Sequence, residues 1–385
     1  MTTCDVLVVG GGPAGSTCAA LLREAGLDVL LTDSARFPRD KPCAGWITPE
    51  VFARLGIAPA DYAASRTLQP FTGFRVGTVG GRYTEFQEAQ PVSFGILRRE
   101  FDEFLLRGCG ARLRLGVPTT RLRRRGDLWI VDESIRTPVV VGAGGQRCPV
   151  AQALNGLADP AAVVVTRELE FRMDARQVSA CRVRGEVPQI YFSRDLEGYG
   201  WCVRKGEHLN IGLGRKRPSR LNEHVREFMT FLLGLGEVPA DVPTSGWRGY
   251  AYRLHHGAPC QVVGDGVLLV GDAAGLASPT SGEGIRPAVL SGLLAARVVA
   301  DAGGRHARGD LEPYAVALDR ALGRRRRRSA VLPWLPAALA SRLLAARWFA
   351  RHVVIGHMFL APDRLSFEPR LRLGVHAEDD ARRAS

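Results

Sequence analysis

Residues 5–33 have the sequence DVLVVGGGPAGSTCAALLREAGLDVLLTD, and this stretch decides the fold of the chain. A short apolar, β-branched run leads into a glycine-rich turn, and an Ala- and Leu-rich stretch follows. A second apolar run then ends on Asp33. Buried parallel strands have this apolar character, and the order of strand, glycine turn, helix, strand and acidic residue is typical of a dinucleotide-binding βαβ unit.

Three glycines of the turn, Gly10, Gly12 and Gly15, have the spacing GxGxxG. The first permits a tight turn, the second lets the backbone approach a pyrophosphate, and the third lets helix and strand pack closely. The free N–H groups at the helix N-terminus favour phosphates, and Asp33 is placed to accept hydrogen bonds from an adenosine ribose. The pattern predicts a dinucleotide site, and the alternative is a glycine-rich turn that binds nothing.

A second pattern, at residues 264–285, favours FAD over NAD. Its sequence, GDGVLLVGDAAGLASPTSGEGI, contains a buried strand, a glycine-rich segment and the start of a helix. Asp272 stands at the end of the strand, where a carboxylate suits a ribityl hydroxyl. Gly284 and Ile285 open the helix, whose positive dipole end would stabilise negative charge on a reduced flavin.

Together with two further motifs, these patterns resemble the para-hydroxybenzoate hydroxylase-like FAD superfamily, and within it the geranylgeranyl reductase-like branch. Residues 39–45, RDKPCAG, are similar to the branch's DKPCGG-like segment, and residues 97–102, LRREFD, are similar to its R-x-x-F-D helix start. The resemblance implies that FAD is contacted by Gly10, Gly12, Ala14, Gly15, Asp33, Ala44, Gly45, Arg98, Asp272, Pro279, Gly284 and Ile285. For Arg98 the alternative is an exposed arginine at a helix start.

Two departures from the family pattern bear on the reaction. Gly144 stands where the superfamily usually has an Asp before a Gly, and this weakens the interpretation as an NADPH-dependent hydroxylase. Residues 196–204, LEGYGWCVR, keep the Tyr and Trp of the branch's P-x-x-Y-x-W-x-F-P signature but replace its prolines and Phe. Tyr199 and Trp201 share one face of a strand, so we expect them to line an apolar substrate pocket, or alternatively to form a core pair.

Cys43 is the candidate catalytic residue, because the resemblance places its turn beside the flavin. A thiol there could donate a proton or exchange electrons, and the alternative is a small residue needed for packing. No second GxGxxG follows a strand, so NAD(P)H would visit without a dedicated domain, and ferredoxin or a separate flavin reductase is an equal alternative as electron donor. The cysteine spacing predicts no metal site and no disulfide framework.

The length of 385 residues accommodates two domains. The predicted fold class is α/β with an α+β substrate part: a Rossmann-like FAD-binding domain, an antiparallel β-sheet substrate domain and C-terminal helices. The FAD-binding domain is predicted to be discontinuous, over 1–66, 92–160 and 258–325. The substrate domain is predicted over 67–91 and 161–257, and a basic and apolar C-terminal helical segment over 326–385.

The formal net charge of +13 is unevenly distributed, since residues 324–385 hold 13 arginines against five acidic residues. We expect this tail either to cap the substrate cavity or to rest on an anionic membrane. No basic face is interleaved with aromatic residues, so no nucleic acid is predicted as a partner. Without a signal-peptide pattern or a spanning apolar stretch, the predicted location is the cytoplasm, or its membrane periphery at the inner face.

The sequence therefore predicts an FAD-dependent oxidoreductase that reduces C=C bonds of a hydrophobic, isoprenoid- or polyene-like substrate, with hydride transfer from flavin N5. The alternative is an FAD-dependent monooxygenase that acts on an aromatic or natural-product substrate. A third hypothesis is a non-catalytic protein that binds flavin or lipid.

Overall fold

A six-stranded sheet forms the first layer of the fold in the computed structural model, which describes residues 1–156, 163–216, 219–255, 260–323 and 337–360. Neighbouring strands of this sheet are parallel except at the first pair. The strands in the middle of the sheet are buried along their length, which explains their continuous apolar sequences. From edge to edge they are Val263–Gly264, Val267–Leu269, Val139–Gly142, Val6–Val9, Val29–Asp33 and Arg112–Leu115.

A seven-stranded sheet forms the second layer. Its strands are antiparallel except for one pair, in which Gly73–Thr78 runs parallel to Gln189–Phe192. More than a hundred residues separate these two strands in the sequence, so no hairpin turn fixes their direction. From edge to edge the strands are Arg248–Arg253, Val163–Arg172, His208–Arg215, Gly198–Lys205, Gln189–Phe192, Gly73–Thr78 and Tyr83–Gln87.

Two small sheets and the helices complete the described structure. The small sheets are Trp46–Ile47 with Ser93–Ile96 and Leu68–Phe71, and Thr2–Thr3 with Ile135–Thr137, Leu128–Val131 and Leu122–Arg125. The α-helices are Pro13–Glu24, Pro49–Leu55, Pro59–Ala63, Arg98–Gly108, Pro149–Asn155, Ala175–Ala180, Leu221–Gly234, Ile285–Asp301, Arg308–Leu311, Pro313–Leu322, Ala337–Ala345 and Arg347–Phe349. Short 3₁₀ helices cover Gly145–Arg147 and Gly271–Ala274, and a π-helix covers Ala350–Phe359.

No described helix combines the length and the apolar composition that crossing a bilayer requires.

The C-terminal helices pack on the seven-stranded sheet. Side chains of the π-helix, including Val354, Ile355 and Phe359, share a buried cluster with Phe74 of the sheet. The predicted fold class is therefore confirmed, with the one parallel strand pair as a difference of detail. The arginine run at 324–328 and the tail beyond residue 360 lie outside the described residues.

The helices Pro13–Glu24 and Ile285–Asp301 pack closely against each other at Gly292. A Cβ atom added at Gly292 would lie only 2.4 Å from the carbonyl oxygen of Ala14. Since that neighbour is backbone, it cannot move aside without shifting a helix. This contact joins the two helices whose N-termini carry the two nucleotide motifs.

We predict that Gly292→Ala lowers the free energy of unfolding by about 1–3 kcal/mol, because the added methyl overpacks this crossing. The matched control is Gly309→Ala, at an exposed helical glycine whose added Cβ would have no neighbour within 4 Å. It should leave stability unchanged or raise it by up to about 1 kcal/mol. Urea unfolding followed by Trp fluorescence measures both variants, and equal midpoints would contradict the prediction.

Candidate active site

A cavity of about 950 Å³ brings the two layers of the fold together. Its volume is near the upper end of the roughly 300–1,000 Å³ typical of ligand sites. One wall is built where strands of the six-stranded sheet end, at Gly10, Asp33 and Gly271, and this carboxyl edge is where such sheets bind ligands. The opposite wall is the face of the seven-stranded sheet that carries Tyr199 and Trp201.

Most of the residues predicted from the sequence line this cavity: Gly10, Gly12, Ala14, Asp33, Cys43, Ala44, Arg98, Tyr199, Trp201, Asp272, Gly284 and Ile285. Three predicted FAD contacts, Gly15, Gly45 and Pro279, lie outside its lining. A Cβ at Gly15 would lie 1.9 Å from the Gly10 oxygen, and one at Gly45 would lie 2.1 Å from the Ile96 oxygen. The structure thus gives Gly15 and Gly45 a packing role next to the site.

The N-terminal part of the cavity fits a dinucleotide. The Asp33 carboxylate accepts hydrogen bonds from the backbone N–H groups of Gly11, at 2.7 Å, and Ala35, at 2.8 Å. These two bonds fix the orientation of the carboxylate. No side chain caps the helix Pro13–Glu24, whose first N–H groups are therefore available to an anion. A Cβ at Gly12 would meet only the Arg39 guanidinium, at 3.6 Å, so backbone and cation leave room for a pyrophosphate.

Arg98 is held by a buried ion pair. It donates two hydrogen bonds of 2.9 Å to Asp102, which also pairs with Arg39 at 3.2 Å. Both Arg98 and Asp102 are buried, which excludes the alternative of an exposed helix-start arginine. Arg98 also interacts with the Cys43 side chain, whose sulfur accepts the N–H of Gly45 at 3.4 Å. Asp102 therefore fixes the Arg98 guanidinium beside the Cys43 turn and balances its charge.

Tyr250 and Lys41 enlarge the predicted site around Asp272. Tyr250 donates a hydrogen bond of 2.8 Å to Asp272, and the Lys41 ammonium lies over the Tyr250 ring. Burial lowers the pKa of Lys41 to about 7, although Asp272 acts in the opposite direction. Sequence reasoning missed Tyr250, but its alternation with Tyr252 repeats the spacing of Tyr199 and Trp201 and could have revealed it.

The other end of the cavity is aromatic. Trp46 stacks between Phe74, at 5.5 Å between ring centroids, and Phe359, at 5.2 Å. The ring centroids of Tyr199 and Trp201 lie 6.2 Å apart, and the Tyr199 hydroxyl donates a hydrogen bond to the Ser281 carbonyl. This bond joins the seven-stranded sheet to the glycine-rich segment that opens the helix Ile285–Asp301.

A buried polar cluster supports the Cys43 turn from the seven-stranded sheet. The Trp201 indole donates to Asn210 at 2.7 Å, and the Asn210 amide donates to the Cys43 carbonyl at 3.1 Å. Fully buried Lys205 donates to the carbonyls of Ala44, at 3.1 Å, and Ile96, at 3.0 Å. Sequence reasoning missed Asn210 and Lys205, since nothing in the linear pattern places them under this turn.

The cysteines are all free thiols. Six are buried, while Cys43 and Cys260 are partly exposed. Among the residues that the structure describes, no group of three or more His, Cys, Asp or Glu side chains is arranged to hold a metal ion.

Comparison with known proteins identifies the family. Residues 3–90 match the FAD binding domain family. The menaquinone reductase of Mycobacterium tuberculosis is 32% identical over 330 residues, which cover 77% of this chain and 76% of that protein. The digeranylgeranylglycerophospholipid reductase of Methanocaldococcus jannaschii is 27% identical over 316 residues, which cover 77% of each chain.

A solved structure has the same fold along nearly the whole chain. It is the geranylgeranyl bacteriochlorophyll reductase-like protein of Thermoplasma acidophilum, with a TM-score of 0.74 and 21% identity. The match covers 93% of this chain and 97% of the other. Given these relatives and the motifs that line the cavity, the chain belongs to the geranylgeranyl reductase-like branch of the para-hydroxybenzoate hydroxylase-like superfamily and is an FAD-dependent oxidoreductase.

Proposed function

We propose that this flavoenzyme reduces a C=C bond in a hydrophobic, isoprenoid- or polyene-like substrate. The observation that carries the proposal is the continuity of the cavity, which runs from the nucleotide motifs to the wall of Trp46, Tyr199, Trp201 and Phe359. An aromatic wall excludes water and offers flat apolar contacts to an unsaturated chain. The names of the relatives support the substrate class, since one reduces a digeranylgeranyl lipid and another a menaquinone.

In the proposed site, the nucleotide is held by the Gly10–Gly12 backbone, Asp33, Arg39 and Arg98. When bound in its two-electron-reduced form, FAD would supply a hydride from N5. The aromatic wall would orient the alkene so that one carbon accepts that hydride and the other a proton. We assign that proton to the Cys43 thiol or to water, with the thiolate regaining a proton from solvent. NAD(P)H, a ferredoxin or a separate flavin reductase would supply the electron pair that reduces the cofactor for each turnover.

We predict that the reduced holoenzyme saturates a double bond of a polyprenyl compound in the absence of oxygen. Mass spectrometry of the product should show the gain of two hydrogen atoms, and the flavin absorbance should return to its oxidised form in the same proportion. Turnover that requires oxygen and inserts an oxygen atom would assign the protein to the monooxygenases instead. Binding without any flavin reoxidation would favour a non-catalytic role.

We predict that Gly12→Ala weakens FAD binding by about tenfold or more, because its methyl occupies the space left for the pyrophosphate. The fold should survive, since the added atom would meet only the Arg39 side chain. Gly234→Ala is the matched control, at a glycine whose Cβ would have no neighbour within 4 Å. Titration of the apoprotein with FAD, followed by flavin fluorescence, measures the affinity. Equal affinities of the two variants would show that the pyrophosphate lies elsewhere.

We also propose that the outer face of residues 339–352 rests on an anionic lipid surface. Trp348 is 68% exposed and Leu339 is 45% exposed, and the exposed Arg342 and Arg347 lie on the same segment. Exposed Trp and arginine are the residues that interfacial segments place at lipid headgroups. The segment continues into the π-helix that ends at Phe359 on the cavity wall, so a lipid-like substrate would have a short path to the site.

We predict that the protein co-sediments with vesicles containing phosphatidylserine, that salt releases it, and that Trp348→Ala weakens this binding several-fold. The matched control is Val316→Ala, which removes a 47% exposed apolar side chain from another helix. Both variants should unfold at the same temperature as the wild type. Equal binding to neutral phosphatidylcholine vesicles, or no effect of Trp348→Ala, would contradict the assignment of this face.

A further inference from the structure

Phe359 closes the aromatic end of the cavity. It is the last residue of the π-helix Ala350–Phe359, and it lines the cavity although it is only 9% exposed. Its ring stacks on Trp46 with 5.2 Å between the ring centroids and 15° between the ring planes. It also makes an edge contact with Tyr199, at 5.5 Å between centroids. Two other residues of the cavity wall therefore hold the ring in a defined orientation.

The space behind Phe359 is filled by apolar side chains. Val354 and Ile355 of the same π-helix and Phe74 of the seven-stranded sheet belong to the buried cluster that packs around Phe359. These three side chains lie outside the cavity lining. On this side the cavity therefore ends at the Phe359 ring, and a smaller side chain at this position would extend the cavity into apolar surroundings.

Two polar contacts hold the π-helix in place. Near its start, Arg351 pairs with Glu88, which follows the edge strand of the seven-stranded sheet, at 2.6 Å. Near its end, the Thr280 hydroxyl donates a hydrogen bond of 3.0 Å to the Met358 carbonyl. Thr280 belongs to the glycine-rich segment of the second nucleotide pattern. The end of the cavity is thus tied to the segment that is expected to hold the cofactor, and π-helical turns often occur at functional sites.

The cavity has to accommodate the cofactor as well as a substrate. Its volume of about 950 Å³ extends from Gly10 and Asp33, at the nucleotide motifs, to Phe359. Only part of this volume is therefore left for a substrate chain, and Phe359 limits that part at the end away from the nucleotide motifs. A residue in this place restricts the length of a chain that starts at the cofactor.

We propose that Phe359 is a specificity-determining residue that sets how long a hydrophobic chain the cavity admits. This inference rests on the proposed function for the substrate class, an isoprenoid- or polyene-like chain whose reacting double bond lies at the cofactor end. Each further prenyl unit buries more apolar surface and strengthens binding until the chain reaches the Phe359 ring. The next unit then has no space, so the affinity stops increasing with length.

The test is the binding of polyprenyl alcohols of increasing length to the oxidised holoenzyme. The series runs from geraniol through farnesol and geranylgeraniol to longer homologues, and the flavin absorbance spectrum reports binding. Oxidised flavin has no hydride to give, so the measurement contains no turnover. For each protein, the dissociation constants of successive homologues locate the length limit, defined as the chain beyond which affinity no longer increases.

We predict that Phe359→Ala moves the length limit to a chain about one prenyl unit longer, because it deletes a ring of roughly that size. The first homologue beyond the wild-type limit should gain about tenfold in affinity relative to the homologue at the limit. Phe359→Leu, which keeps most of the apolar packing, should give a smaller shift in the same direction. Phe359→Trp should move the limit to a shorter chain.

The matched control is Phe86→Leu. Phe86 is 2% exposed and belongs to the same buried cluster, but it lies outside the cavity lining. This variant should leave the length limit unchanged, which separates an obstacle in the cavity from a general loss of packing.

Three results would overturn the inference: a length limit that is the same in the wild type and all Phe359 variants, an equal shift in Phe86→Leu, or a wild type that shows no limit or binds no homologue. A limit that shifts as predicted supports the inference even if the reduced holoenzyme saturates none of these alcohols. In that case the proposed reduction would fail while the role of Phe359 would stand.

Discussion

The support of the Cys43–Ala44 turn by side chains of the seven-stranded sheet is the interaction on which the rest of the site depends. Asn210 and Lys205 donate to the carbonyl oxygens of Cys43 and Ala44, and so fix the turn from the substrate side. Arg98 reaches the same turn from the cofactor side. An unpaired buried ammonium is costly, and Lys205 is satisfied by the Glu170 carboxylate and by the carbonyl oxygens of Ala44 and Ile96, of which Ala44 lies in the turn. Shifting the turn would remove one of the three acceptors of Lys205 and the Cys43 acceptor of Asn210, so these hydrogen bonds favour one position of the turn between the two layers.

The nucleotide half of the site could be predicted because its chemistry is local in sequence. Gly10, Gly12 and Asp33 belong to one βαβ unit, where a tight turn and a close phosphate approach each demand a residue type at a fixed spacing. The polar cluster could not be predicted in this way. Asn210 and Glu170 become partners only through the register of two strands that are forty residues apart. Such pairings leave no spacing rule in the linear sequence.

The altered reductase signature has a structural explanation in the turn before Tyr199. Leu196 stands where the family has proline, and its φ is +56°. Proline is fixed near −65° and could not adopt this left-handed conformation, so the turn has a different backbone from one that a proline allows. Arg204 replaces the second proline and donates to the carbonyls of Cys181 and Val183. Val203 replaces Phe and packs beside Trp201 and Phe71. The aromatic pair is kept, while the strand around it is held by different contacts.

The distribution of lysine sharpens the electrostatics of the site. The chain contains three lysines, of which Lys41 and Lys205 lie around the Cys43 turn, and all its other basic residues except Lys216 and the histidines are arginines. Arginine stays protonated in proteins, but a buried lysine can lose its charge near neutral pH, as Lys41 does with its pKa lowered to about 7 by burial. Burial also raises the pKa of Glu168, a carboxyl group of the strand Val163–Arg172, to about 7, so Glu168 gains a negative charge over the same interval. Both changes make the site more negative as the pH rises, so negative charge on a reduced cofactor is stabilised best on the acid side of neutrality.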